Sequence, residues 1–203
     1  MKNVKAPHPR KVGRPLGFDR DAALVQAMLQ FWSYGYEATS ISDLTAAMGI
    51  TPPSLYTAFG DKKQLFLEAV RRYLSGPVTS RSIIDEAKTG RDAAAGLLQI
   101  SAVGFTGRDT PRGCLLASSA ISCSKAAADV QNELTAIRQR IEDRLKRKIQ
   151  QSVKLGMMAS DTDAATLAGH TMAVIQGMST LARDGASRQK LLAIAATAIR
   201  AFD

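Results

Sequence analysis

The chain reads as all-α: a three-helix helix-turn-helix unit at the N-terminal end and a larger helical domain behind it, about nine helices by hydrophobic spacing. Three observations predict this. Apolar residues recur three and four apart through most of the chain, and no run alternates strictly as a half-buried strand would. Ala, Leu, Ile and Met are plentiful while aromatics make up 5% of the 203 residues, a mix that suits helix packing. Finally, only Gly49, Ile50 and Thr51 separate two short helical segments.

The elements follow in order. Phe18 to Tyr34 forms the first helix, capped by Asp19, with Ala23, Ala27, Met28 and Phe31 at helical spacing and Gly35 as its stop. In TSISDLTAAMG, Ser40 and Asp43 have the spacing of a capping box and open the second helix, which Gly49 closes. Thr51 caps the third. After the Phe59-Gly60-Asp61 turn, Asp61 caps a fourth helix ending near Leu74. Ser75-Gly76-Pro77 breaks the pattern and divides the chain into a basic arm (1–17), a helix-turn-helix unit with its connecting helix (18–75) and a C-terminal domain (76–203). There, helical stretches are expected over about 80–106, 114–122, 126–156, 162–183 and 187–202.

Charge and composition narrow the function. The net charge is +9, and Lys2, Lys5, Arg10, Lys11 and Arg14 stand in the arm without an acid, whereas 18–75 is nearly neutral. A basic arm ahead of a compact neutral unit fits nucleic-acid binding, and it also fits a solvated tail. No apolar run approaches the roughly 18 to 20 residues that cross a bilayer. MKNVKAPHPRKVGRP reaches no apolar signal region, and two cysteines make no disulfide framework, so a soluble cytoplasmic protein without a membrane partner is expected. There is no phosphate loop and no metal-spaced cluster. With His8 and His170 the only histidines, there is no plausible nucleophilic triad, so no enzyme, cofactor or metal is expected.

Two short helices joined by a Gly-containing turn form either a helix-turn-helix or an ordinary helical corner. Small Thr45 at the crossing lets the helices approach closely. With Thr51 as N-cap, Pro52 and Pro53 occupy the first two helical positions, where amide hydrogens have no intrahelical acceptor, so they start the helix and do not break it. Thr51 then caps only the Ser54 amide. An apolar tip gives up backbone phosphate capture and suits contact with a thymine methyl. The alternative is that the prolines only stiffen the helix.

FDRDAALVQAMLQFWSYGYEATSISDLTAAMGITPPSLYTAFGDKKQLFLEAVRRY resembles the DNA-binding domain of TetR/AcrR-family transcriptional regulators over about residues 14–74. The shared series includes the GRP arm, the G-Y-x-x-T-S entry, the D-L-T-x-A-M-G turn and S-L-Y-x-x-F-x-x-K-x-x-L-F. The resemblance implies a homodimer that reads double-stranded DNA and holds a ligand in a variable core. By position it implies Arg14 in a minor groove, Thr39 and Ser40 on phosphate, and Thr51, Pro52, Pro53 and Ser54 nearest the bases. Tyr56 and Thr57 would reach backbone or bases, and Lys62 a phosphate. Many relatives carry a polar or basic residue where Pro52 stands and an aromatic where Ala58 stands, so base preference does not transfer.

In the second half, Leu167, Thr171, Val174, Ile175, Met178 and Leu181 share one side of a helix, and Leu191, Leu192, Ala195, Ala198 and Ile199 a side of the next. These sides either pair with a second subunit, with Leu167, Val174, Met178, Leu191, Ala195 and Ile199 at the interface, or form the core of one chain. PRGCLLASSAISCS resembles the regulatory core of one TetR subgroup. Cys114, beside Arg112 and a helix start, is a sensor candidate with Cys123, and His170 a pocket candidate; as a small hydrophobe, Cys114 would simply pack. The basic run Arg138 to Lys154 reads as a solvated face. The function expected is that of a sequence-specific, ligand-responsive repressor, released from a palindromic operator by a small-molecule effector. An effector-independent architectural DNA binder and a thiol-based sensor using Cys114 are the alternatives.

Overall fold

The computed structural model describes residues 17–121 and 123–203; Arg14 and the rest of the arm lie outside the described residues. Ten α-helices follow one another, with no strand among the described residues: α1 Arg20–Tyr34, α2 Ile41–Met48, α3 Pro52–Phe59, α4 Lys62–Leu74, α5 Ser80–Glu86, α6 Gly90–Gly104, α7 Leu115–Ser118, α8 Ala128–Lys154, α9 Ala164–Arg183 and α10 Arg188–Ala198. Short 3₁₀ turns at Lys125–Ala127 and Ile199–Phe202 precede α8 and follow α10.

Local chemistry sets most boundaries. Asp19, Asp61, Asp163 and Ser187 each accept backbone hydrogen bonds as N-caps, offsetting donors that a helix start leaves unpaired. The expected 80–106 helix is two helices, because Thr89 and Asp92 form a capping box that restarts the chain as α6. The expected 114–122 helix shrinks to one turn. Its Ser118 and Ser119 hydroxyls donate to the Cys114 and Leu115 carbonyls at 2.8 and 2.6 Å, a back-bonding habit that favours helix ends.

α1 packs on α2 and α4, and α6 is the central helix of the larger half, against α5, α8, α9 and α10. Phe31 of α1 meets Phe66 of α4 edge-on at 5.0 Å, and Tyr36 leans on both rings. Their core continues without interruption into Leu98, Leu115, Leu134, Met178 and Leu191. A second cluster joins Ile84, Leu97, Leu145, Ile149 and Ala168. At Gly90 a Cβ would stand 2.6 Å from the Ile149 backbone, and the Gly90 amide donates to Ser152 Oγ at 2.8 Å, so only glycine lets α6 sit this close to α8.

Candidate nucleic-acid interface and interior cavity

The turn between α2 and α3 is closed by Gly49 in the left-handed region (φ 66°, ψ 31°), whose amide donates to the Thr45 and Ala46 carbonyls. Leu44, Met48, Leu55 and Phe59 fill the angle between the two helices, with Thr45 buried beside them. Thr51 has the extended geometry of an N-cap, and its hydroxyl accepts the Ser54 amide at 3.4 Å. Pro52 and Pro53 therefore begin α3. Both are exposed, as are Thr51, Tyr56 and Thr57, while Ser54 is half-buried. The tip of α3 is thus a convex apolar surface edged with hydroxyls.

The flanking residues divide. Ser40 is exposed and shares a reciprocal box with Asp43, whose carboxyl is held below the usual carboxylate range by bonds from the Ser40 hydroxyl and amide. Lys62 is half-buried at the start of α4, its ammonium 4.6 Å from the Tyr36 ring centroid and 3.4 Å from the Glu37 carbonyl it donates to. Burial lowers its pKa from the ordinary value, against the opposing pull of Glu37 and Asp43. Thr39 departs from its expected role. It is 1% exposed and its hydroxyl donates to the Gly35 carbonyl at 2.6 Å, so it braces the end of α1 and offers nothing to a phosphate.

The reader is held by contacts that sequence reasoning missed. Arg20 forms a bidentate pair with Glu68 at 2.6 and 2.8 Å, donates to the Ala58 carbonyl at 3.1 and 3.3 Å, and lies 4.3 Å over the Phe59 ring. One guanidinium thereby ties α1 and α4 to the C-terminal end of α3. Arg183 of α9 donates to the carbonyls of Trp32 and Ser33, which end α1. The Tyr36 amide donates to the Ser119 carbonyl at 2.8 Å, and Glu37 accepts from the amide and hydroxyl of Ser124. The reader is therefore bonded to the larger half at several points along one side.

Behind α4 lies a cavity of about 300 Å³. Trp32, Tyr73, Phe105, Cys114, Met172 and Ile175 are among the residues that line it, and Arg138 is the only charged residue in its described lining. Exposed Val78 and Ile100 stand at its mouth. Tyr73 packs edge-on against Trp32 at 4.9 Å and lies 3.5 Å from Cys114 Sγ. Burial raises the pKa of both the Tyr73 phenol and the Cys114 thiol. Arg112 is turned to other partners: its guanidinium donates to the Ala182 carbonyl in the last turn of α9 and to the Ala186 carbonyl just beyond it. The geometry thus opposes the expected Arg112-assisted thiolate at Cys114.

Other candidates move as well. Cys123 and His170 do not line the cavity. Cys123 packs half-buried against the core with its pKa raised by burial, and His170 Nδ1 is buried without a hydrogen-bond partner among the described residues. Of the interface candidates, Met178 (1% exposed), Leu191 (0%) and Ala195 (7%) are covered almost wholly within this one chain, which leaves them little surface for a second. Leu167, Val174 and Ile199 are partly buried against the core. The exposed sides of α9 and α10 carry Ala173, Gly177, Thr180, Leu192 and Ala196 instead.

Two family models match the chain: bacterial regulatory proteins of the tetR family over residues 23–69, and the tetracyclin repressor-like C-terminal domain over residues 96–198. The chain belongs to the TetR family of transcriptional regulators. It is 38% identical over 190 residues to the HTH-type transcriptional repressor ComR of Escherichia coli (strain K12), covering 93% of this chain and 90% of that protein. The HTH-type transcriptional repressor BdcR of the same organism is 27% identical over 191 residues, covering 93% and 91%. Among solved structures, a triple cysteine mutant of the TetR family regulator CifR complexed with 26-base-pair double-strand operator DNA superposes with a TM-score of 0.88. It shows 38% identity over 94% of this chain and all of that one. The family is one of DNA-binding regulators and not of enzymes. No described helix is long and apolar enough to cross a membrane.

Proposed function

We propose that this protein is a ligand-responsive repressor that binds a palindromic operator as a homodimer. The observation that carries the reading is the position of α4. Its first residue, Lys62, stands beside the reader, and its last two, Tyr73 and Leu74, line the cavity. A 13-residue helix is a rod of about 20 Å, stiff enough to carry a displacement from one end to the other. A ligand that needs Tyr73 and Leu74 to move would rotate the reader relative to its twin. Two α3 tips set about 34 Å apart, one helical repeat of DNA, would then misfit their half-sites. The ligand weakens DNA binding by as much as it prefers the misfitting geometry.

In this reading, residues 18–75 read DNA and residues 76–203 sense and dimerise. Pro52, Pro53 and Ser54 face base edges, while Ser40, Tyr56, Thr57 and Lys62 position the backbone. Relatives that are repressors, and a similar regulator bound to operator DNA, support the reading. The small-residue sides of α9 and α10 pair with their copies as a four-helix bundle, because Ala173, Gly177 and Ala196 let backbones approach. DNase footprinting on the DNA upstream of its own gene tests the proposal. Two protected half-sites related by a dyad, with a dimeric mass in light scattering, are expected. Uniform protection without a dyad would favour an architectural binder.

A further inference from the structure

Within the effector reading, on which this inference rests, we propose that the cavity takes an amphipathic organic carboxylate whose acid group pairs with Arg138 and whose apolar body lies against Trp32, Tyr73 and Met172. Arg138 comes from the middle of α8 and points inward, away from the basic face of its own helix. It donates to the Leu116 carbonyl at 2.7 Å and to Thr135 Oγ1 at 2.9 Å. A guanidinium offers five donors in a planar fork, so these two bonds leave most of it uncommitted. No described carboxylate pairs with it, whereas Arg20, Arg81, Arg91 and Arg144 each have one.

Cost and geometry both favour an anion that arrives from outside. A partly desolvated cation without a counter-charge is held at a penalty, and burial lowers the Arg138 pKa accordingly. The rest of the wall cannot neutralise it: the described lining contains no Asp or Glu, and its remaining polar groups are hydroxyls, a thiol, an amide and an indole N–H. The indole N–H is spent on the Gly113 carbonyl at 3.1 Å. Carboxylate is an anion the fork fits, and an organic acid brings a single charge on an apolar body that can cover this wall, whereas free phosphate brings more charge and no apolar surface. The cavity sits at the lower end of small-molecule sites, which typically run from about 300 to 1,000 Å³, so the body is a single ring or a short branched chain.

The sole tryptophan, Trp32, lines the cavity and reports occupancy without DNA. The experiment titrates the DNA-free full-length protein with 4-phenylbutanoate, its neutral amide and inorganic phosphate, following Trp32 fluorescence, in wild type and in Arg138→Gln. Expected is carboxylate affinity about tenfold or more above the amide, lost in Arg138→Gln, with amide binding unchanged and phosphate inert. Because Arg138 also braces α7 through Leu116, each variant is checked for a cooperative melt. Arg138→Lys serves as the second variant, keeping the charge but losing the fork and several-fold of the carboxylate affinity. Equal affinity for acid and amide, phosphate binding as tight as the acid, or carboxylate affinity untouched by both substitutions would overturn the proposal. Carboxylate binding that depends on Arg138 but leaves operator affinity unchanged sustains the ligand class and refutes the release mechanism instead.

Discussion

The two ends of α4 are built on opposite principles. At the reader end, polar groups are exposed and satisfied by residues three positions away: Thr51 by Ser54, Ser40 by Asp43, Asp61 by Gln64. At the cavity end, Tyr73 and Cys114 are withdrawn from water beside a guanidinium that no described carboxylate balances. The first arrangement has its polar groups paired locally without a partner, as would suit the proposed fit to a DNA groove. The second leaves a cation without a described counter-charge, which is the feature the proposed ligand would complete.

The largest effect should come from removing what both ends of α4 share. Phe66 of α4, fully buried against Phe31, belongs to the core that runs from the reader into the larger half. Phe66→Ala should cost about 3–5 kcal/mol in urea unfolding and loosen both ends together. If the cavity half kept its full stability, the two halves would be independent units.

Arg20→Met comes next. It leaves Glu68 without its bidentate partner and the Ala58 carbonyl unbonded, and should cost about 1–3 kcal/mol, lowering operator affinity while sparing Trp32 titrations. The same pair sets an acid response. Arg20 holds the Glu68 carboxyl below the usual carboxylate range. Its folded pKa being depressed, the stabilisation is whole above the unfolded value of about 4.3 and disappears as pH falls through the folded value. Wild type should therefore lose stability more steeply than Glu68→Gln in acid unfolding below that point. Parallel curves would assign no linkage to this pair.

Smaller effects sharpen the reader alone. Replacing the thymine beneath the α3 tip by uracil should weaken binding by about 1 kcal/mol, because Pro52 or Pro53 loses its methyl contact. Unchanged affinity in a gel-shift titration would leave the prolines a stiffening role only. Lys62→Ala should reduce the slope of log affinity against log salt by about 1 with little change in sequence preference. An identical slope would remove Lys62 from the phosphate contacts.

This contrast also explains what the sequence disclosed. Caps, the Gly49 turn and the proline start of α3 are short-range devices, each visible within four or five residues. Thr39 misled because its hydroxyl stands at a helix start, yet folding turns it back to Gly35. The cavity draws on every helix from α4 to α9 together with α1, and no local pattern announces that Trp32, Tyr73, Cys114 and Arg138 meet. One signal was available: Arg138 lies four residues after Leu134 and three before Ile141, on the apolar side of α8, but the neighbouring cations disguised it as a solvated face. The apolar sides of α9 and α10 fit either a second subunit or the core of one chain by spacing alone; the fold buries Met178 and Leu191 within the chain and leaves small residues outside.

If ligand and operator act on one another through α4, its two ends exchange free energy. Reciprocal linkage tests it most directly: the affinity of 4-phenylbutanoate, read by Trp32 fluorescence, is measured for free protein and for protein saturated with operator DNA. Binding to the DNA complex should be weaker, by the same factor by which the acid weakens DNA binding. Identical affinity in both states would contradict it.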